Sequence, residues 1–312
     1  MKSIAFIGAT SQIAKDLIRA LAPDSLYSLS LFSRRPEELR EWRDRELISG
    51  DIVSRPYGQF IDGNFDVIIN CVGSGDPART AGMAGSILDV TYQFDSLALD
   101  YIRQHPRCRY IFLSSGAAYG SIFRAPATFE TNAEFRINSL AADEFYSIAK
   151  MHAECRHRAM LDADIIDIRI FNYCSATTDI NSKFLTSYIL RSIHRSEVLQ
   201  VSAASMHRDF ITPADFAELV RCALNAPVCN RAIDVYSRAP VEKFELLSHL
   251  SNLFDFRYEI VPSLNLVVST GEKPMYYSNN RSAADLGYEP RYSSIEGVAL
   301  ETEAALKSLK NI

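Results

Sequence analysis

The residues of this 312-residue chain best suited to chemistry are Tyr146 and Lys150, inside the run from Glu144 to Glu154. That run has neither Pro nor Gly and is rich in helix formers, so it reads as helix. Positions four apart share a helical face, so the Tyr146 hydroxyl and the Lys150 ammonium can act on one object. A free phenol loses its proton near pH ~10, too high for proton transfer at neutral pH. A fixed ammonium close by favours the phenolate and brings that value down. Such a pair also occurs on ordinary helix surfaces, so the elements around it must decide its meaning.

The first of those elements is a buried strand, Ile4 to Ile7, a tight turn, Gly8 to Ala14, and a helix from Lys15 to Leu21. A strand–turn–helix junction aims free backbone N–H groups and a positive helix end at a pyrophosphate. The turn offers Gly8, Thr10, Ser11, Gln12 and Ile13, but Ser11 and Ala14 stand where a fingerprint has its second and third glycines. A second strand, Tyr27 to Phe32, ends at Ser33-Arg34-Arg35-Pro36. An acid at that position accepts from an adenosine 2′-hydroxyl, whereas serine followed by two arginines suits a 2′-phosphate. The sequence therefore favours NADP(H) over NAD(H). Ser49-Gly50-Asp51-Ile52 is expected to flank the adenine.

A fourth strand runs from Phe65 to Gly73, its apolar run ending in Asn70, Cys71, Val72 and Gly73, as at the crevice end of a parallel sheet. Ser86 to Gln104 reads as helix. Arg109 to Leu113 reads as a fifth strand leading into Ser114-Ser115-Gly116-Ala117-Ala118-Tyr119-Gly120. Hydroxyls at the mouth of a buried strand can bind a substrate oxygen, or cap the turn that follows.

Composition fits this picture. Hydrophobic residues make up 47% and charged residues 23%, with a net charge of −5. That balance argues against a general nucleic-acid binder and against an anionic membrane surface. No apolar run is long enough for a signal peptide or a membrane span, so a cytoplasmic location is expected. The six cysteines (Cys71, Cys108, Cys155, Cys174, Cys222 and Cys229) form no CxxC pair, so reduced thiols are expected and no metal site.

Taken in order, these stretches resemble the extended short-chain dehydrogenase/reductase family, the nucleotide-sugar epimerases, dehydratases and reductases. The resemblance continues through Arg169-Ile170-Phe171-Asn172-Tyr173, through Arg208 to Asp215, and through Leu286-Gly287-Tyr288-Glu289-Pro290 near the C-terminus. It implies a Rossmann-type doubly wound parallel α/β sheet with a smaller mixed α/β substrate lobe. The expected division is 1–171 plus about 206–236 for the cofactor, and about 172–205 plus 237–312 for the sugar nucleotide.

The resemblance also implies roles. Tyr146 exchanges the proton at a sugar hydroxyl or ketone, and Lys150 holds the nicotinamide ribose. Ser115 hydrogen-bonds the reacting oxygen. Asn172 contacts the sugar diphosphate and Arg208 pairs with its phosphate. Lys273, read from its loop Gly271-Glu272-Lys273-Pro274 and not from the resemblance, is a candidate diphosphate contact or an ordinary exposed lysine. Hydride transfer needs these parts on chemical grounds too: a cofactor face, a proton relay and a donor to the developing oxyanion.

Some positions depart from the family. Gly116-Ala117 replaces the Asp-Glu pair that dehydratases use, so dehydration is not expected. Thr91 stands where an asparagine is usual. The stretch Phe123 to Asp143 is long and polar, expected as a loop over the substrate with Glu130 at the rim.

The remaining elements are expected as a helix at Phe184–His194, a strand at Val198–Ala203, a helix at Asp215–Asn225 and a strand at Ala232–Tyr236. A helix at Val241–Phe254, a strand at Arg257–Val261, a loop at Leu264–Tyr277 and a helix at Ile295–Leu309 follow. By resemblance, the helices Ser86–Gln104 and Glu144–Met160 are candidates for a homodimer interface. Three functions stay open: an NADPH-dependent reductase of a keto-sugar nucleotide, an epimerase with tightly bound NAD, and a non-catalytic NAD(P) sensor or scaffold. Retention of Ser115, Tyr146 and Lys150 together counts against the third.

Overall fold

The computed structural model describes residues 1–73, 82–121, 123–135, 137–142, 144–261 and 273–310. Its centre is a seven-stranded sheet. Five of its strands are β1 (Lys2–Ile7), β2 (Tyr27–Ser33), β3 (Asp51–Pro56), β4 (Val67–Asn70) and β5 (Arg109–Ser115). After β5 come β6 (Ile165–Ile170) and the two-residue β7 (Asn172–Tyr173), with β8 (Leu199–Val201), β9 (His207–Arg208), β10 (Phe210–Ile211) and β11 (Asn230–Asp234) further on. The order across the sheet is β11-β6-β5-β4-β1-β2-β3, and every neighbouring pair is parallel. This is the doubly wound Rossmann-type sheet expected from the sequence.

Parallel strands need helical crossovers, and helices cover both faces. They are α1 (Gln12–Leu21), α2 (Pro36–Arg45), α3 (Ser86–Gln104), α4 (Glu144–Arg158) and, beyond α5 (Leu185–Arg195), which packs elsewhere, α6 (Pro213–Asn225). Strand β1 shows why both faces must be covered: Ile4 and Phe6 enter one core, Ala5 and Ile7 the other. The first core is closed by α1 and α6, the second by aromatic packing around Phe32, Phe60, Phe65 and Tyr101.

A third core, built on Ile189, Leu199, Val201, Phe210, Leu246, Leu247 and Val298, belongs to the C-terminal lobe. This lobe adds β12 (Val241–Glu242), α7 (Lys243–Phe254), β13 (Tyr258–Ile260), β14 (Met275–Tyr276) and α8 (Ser294–Lys310). Strand β9 lies between β12 and β14, while β7 pairs with β10 and β8 with β13. A fourth, aromatic cluster of Tyr119, Phe123, Phe171 and Tyr276 joins the two lobes.

Among the elements that go unread in the sequence are β3 and α2. In α2 only Leu39 and Trp42 are buried, and β3 is an edge strand of mixed polarity, so neither carries a strong apolar period. Helix α6 starts earlier than expected, because Thr212 caps it and Pro213 fills its first turn. The expected helix at Val241–Phe254 begins only at Lys243, where the Glu242 carboxylate accepts from the N–H groups of Phe244 and Glu245. Strand β11 sits two residues before its expected place and ends at Asp234. Of the expected loop Leu264–Tyr277, the part before Lys273 lies outside the described residues, and Met275 and Tyr276 form a strand.

Candidate active site

Register puts the ends of β1, β2, β4 and β5 along one edge of the sheet: Ile7 pairs with Phe32 and with Asn70, and Ser115 with Ile170. Between β2 and β4 the winding reverses around β1, which opens a crevice there. Gly8 turns at that point with φ +77, a conformation that side-chain-bearing residues avoid. A Cβ on Gly8 would stand 2.8 Å from Val72 Cγ2 and 3.0 Å from the Val72 nitrogen, so glycine is required for space as well.

Ser11 caps α1 by accepting from the Ala14 N–H, which gives the departure from the glycine fingerprint a structural role. Thr10 is exposed at the turn, Ile13 packs on the first core, and Gln12 donates to Thr178 Oγ1 at 2.7 Å. The Gly8 N–H donates to the Tyr57 hydroxyl at 3.0 Å. Asn70 fixes the opposite wall by accepting from the Val72 N–H at 2.9 Å, with Cys71 buried beneath and Gly73 opening the loop.

Ser33 ends β2 almost fully buried, its hydroxyl with no partner among the described residues. Arg34 is exposed, and its charge acts on the Tyr57 phenol beside Gly8. Arg35 instead pairs with Glu38 at 2.7 Å in the first turn of α2. An orphaned buried hydroxyl, a guanidinium and a glycine cradle fit a dinucleotide. Asp51 does not join them. It opens β3 opposite Ser28, at the far end of the sheet from the pair Ser33 and Pro56. The expected adenine contact at Asp51 is therefore corrected: strand direction puts Asp51 at the wrong edge.

Ser115, Tyr146 and Lys150 do converge. Helix α4 lies along β5, and Lys150 Nζ donates to the Leu113 carbonyl at 2.8 Å while sitting 4.4 Å over the Phe112 ring. A Cβ on Gly73 would be 3.4 Å from Lys150 Nζ, so the ammonium reaches the crevice wall. Burial lowers the Lys150 pKa to about 8, against the pull of Asp95, Glu154, Asp167 and Cys71. Tyr146 is half-buried. Burial raises its pKa and the Ser115 hydroxyl opposes the rise. The expected downward pull from Lys150 is thus not what governs this phenol, whose ring centre lies 5.8 Å from the ammonium.

The substrate-side candidates also gather. Arg208 is buried, donates to the carbonyls of His207 and Lys273, and lies 5.9 Å over the Tyr276 ring. Lys273 Nζ is 4.9 Å over the same ring. Asn172 donates its amide to the carbonyls of Asp209 and Tyr276, each at 3.2 Å, so it ties strands together. Phe123 is buried against Phe171 and Tyr276, whereas Glu130 is exposed. The Thr91 hydroxyl is buried without a partner among the described residues.

Sequence reading missed Tyr276, whose hydroxyl is 3.3 Å from Ser115 Oγ. It missed Glu154 as well, which continues the helical stripe of Tyr146 and Lys150 and binds Ser114 and Arg169. The i, i+4, i+8 spacing was the available signal for Glu154.

Comparison with solved structures finds the same fold throughout. UDP-glucose-4-epimerase from Stenotrophomonas maltophila, with bound NAD and formylated UDP-arabinopyranose, is 13% identical with TM-score 0.80, covering 100% of this chain and 99% of that one. UDP-glucose 4-epimerase from Thermotoga maritima, with UDP-glucose, is 15% identical with TM-score 0.79, covering 98% and 99%. dTDP-glucose 4,6-dehydratase from Bacillus anthracis, in complex with NAD, is 14% identical with TM-score 0.78, covering 99% and 98%. No curated protein matches the chain significantly in sequence. Residues 4–237 match the NAD dependent epimerase/dehydratase family. The turn at Gly8, the convergence of Ser115, Tyr146 and Lys150, and that match over most of the chain agree: the protein belongs to the NAD dependent epimerase/dehydratase family, enzymes of the extended short-chain dehydrogenase/reductase type.

Proposed function

We propose that this enzyme modifies a nucleotide sugar by hydride transfer, and that its reaction is the NADPH-dependent reduction of a keto-sugar nucleotide. The observation that carries the chemistry is the gathering of Tyr146 and Lys150 beside Ser115 at the crevice edge, with Lys150 anchored on the Leu113 carbonyl and facing Gly73. A nicotinamide dinucleotide supplies the hydride when bound; Gly8, Thr10, Ser11, Gln12, Ile13, Cys71, Val72, Gly73 and Lys150 would hold it. Tyr146 then delivers a proton to the carbonyl oxygen, which Ser115 keeps in place as charge develops on it. Ser33 and Arg34 support NADP(H) over NAD(H), because a 2′-phosphate answers both the buried hydroxyl that has no partner among the described residues and the exposed guanidinium.

Arg208 and Lys273, gathered on one aromatic ring, support a diphosphate on the substrate side. The lobe around 172–205 plus 237–312 would hold the rest of the sugar nucleotide. Dehydration has no support: a Cβ on Gly116 would already collide with the Phe171 ring, so no carboxylate fits there. Among the described residues no helix is long and apolar enough to cross a membrane, in keeping with a cytoplasmic enzyme. A homodimer through α3 and α4 belongs to the same reading, and sedimentation tests it.

A second reading, an epimerase that keeps its NAD, is favoured by the NAD and UDP-sugars in the similar structures. One experiment separates the two. The purified protein is denatured, any released dinucleotide identified, and the emptied protein titrated with NADPH and NADH. Empty protein that prefers NADPH supports the reductase. Stoichiometric bound NAD supports the epimerase and removes the Ser33–Arg34 argument.

A further inference from the structure

Ser115 has more partners than a serine can keep during catalysis. A hydroxyl has one hydrogen to give and two lone pairs. The Ala117 N–H donates to Ser115 Oγ at 3.2 Å, and the Tyr276 hydroxyl shares a hydrogen bond with the same oxygen at 3.3 Å. Two of its three positions are therefore filled from within the protein, which leaves no room for both Tyr146 and a reacting oxygen. Tyr276 thus stands where a reacting oxygen would meet Ser115. A hydroxyl fixed at the mouth of a buried strand is what a reacting sugar oxygen would require.

Tyr276 is held there from its other side. Its ring packs edge-on to Phe123 at 4.8 Å and tilts against Phe171 at 5.2 Å. Arg208 and Lys273 lie over the ring at 5.9 and 4.9 Å. These cations hold the ring by charge–quadrupole attraction. A diphosphate competes for the same two cations with far stronger charge-assisted bonds.

We propose that Tyr276 is a positioning residue: its hydroxyl caps Ser115, and a diphosphate that draws Arg208 and Lys273 off its ring releases it to free Ser115. The inference rests on the nucleotide-sugar reading, and it ties the opening of the reacting-oxygen site to occupation of the diphosphate site. A ligand lacking the diphosphate would leave Ser115 capped.

The test uses full-length protein containing 3-fluorotyrosine, with the Tyr276 fluorine resonance assigned as the one lost in Tyr276→Phe. UDP, dTDP and GDP are titrated in the presence of NADP⁺, with binding followed independently by calorimetry. The Tyr276 resonance is expected to shift in step with binding. Tyr276→Phe is expected to bind the diphosphate about fivefold more tightly, since one hydrogen bond no longer has to break. A purely structural tyrosine would give weaker binding in that variant. Binding with an unmoved resonance, or weaker binding in Tyr276→Phe, overturns the inference alone. Absence of binding by all three nucleotides overturns the nucleotide-sugar reading as well.

Discussion

Ser114 donates its hydroxyl hydrogen to Glu154 across 2.5 Å, tying the end of β5 to the helix that carries Tyr146 and Lys150. Glu154 also takes a forked interaction from Arg169 on β6, and Arg169 reaches on toward Asp234 on β11. Asp234 in turn accepts from Tyr119 and Ser278. A single buried polar chain thus ties the strand that ends at Ser115 to the helix that carries Tyr146. Burial raises the Glu154 pKa, and the bonds from Arg169 and Ser114 oppose that rise.

Glu154→Ala strips Arg169 and Ser114 of a buried partner. A cost on the order of 3 kcal/mol is expected, as for a broken buried pair, and urea unfolding measures it. Glu154→Gln keeps an acceptor for Ser114 and is expected to lose less. Equal losses in the two variants would remove the Ser114 bond from the argument.

Tyr146→Phe is expected to reduce turnover by roughly 10²- to 10⁴-fold while leaving dinucleotide binding nearly intact, because only the proton-transfer group is lost. Normal activity in this variant would unseat Tyr146 as the acid.

Lys150 is depressed to about 8 by burial, so its ammonium is present below that pH and lost above it. Dinucleotide association with free protein is expected to weaken as pH rises through 8, by about tenfold per unit at the limit of one proton. Lys150→Met should bind weakly at every pH, with a flat profile in the same titration.

His157 lies fully buried, its two ring nitrogens 2.7 Å from Asp95 and 2.6 Å from Asp167. These carboxylates outweigh burial and raise its pKa to about 9 from the ordinary 6.5. Arg156 and Arg158 face the same two acids, from the same helix. A raised folded value means that the stabilisation is complete below pH 6.5 and fades as pH climbs to about 9. Against His157→Asn, the wild-type protein is expected to lose on the order of 3 kcal/mol of advantage across that window. Urea unfolding of both proteins at each end of the window reads the difference.

Arg34→Ala is expected to weaken NADPH about tenfold and leave NADH unchanged, the scale of one charge-assisted hydrogen bond. Fluorescence titration with both dinucleotides checks it. Equal weakening would place Arg34 at the pyrophosphate, and no change in either would end its role.

Local regularity made much of this protein legible. The apolar runs of β1, β4 and β5 and the two-sided burial of a parallel sheet are written in consecutive residues, as are the turn at Gly8 and the four-residue step from Tyr146 to Lys150. Strand β3 and helix α2 were not legible, because an edge strand and a charged surface helix bury too little to show a period. Position along a strand was decisive for Asp51, which adjoins the right elements in sequence and lies at the wrong end in space. Tyr276 shows the limit most clearly. It reaches Ser115 only because β14 pairs with β9 in another lobe, and a two-residue strand has no period to read. Backbone chemistry and hydrophobic spacing fix neighbours a few residues apart. Which distant side chains share one oxygen is decided only when β14 pairs with β9 and brings Tyr276 to the end of β5, since that contact depends on packing across the whole fold.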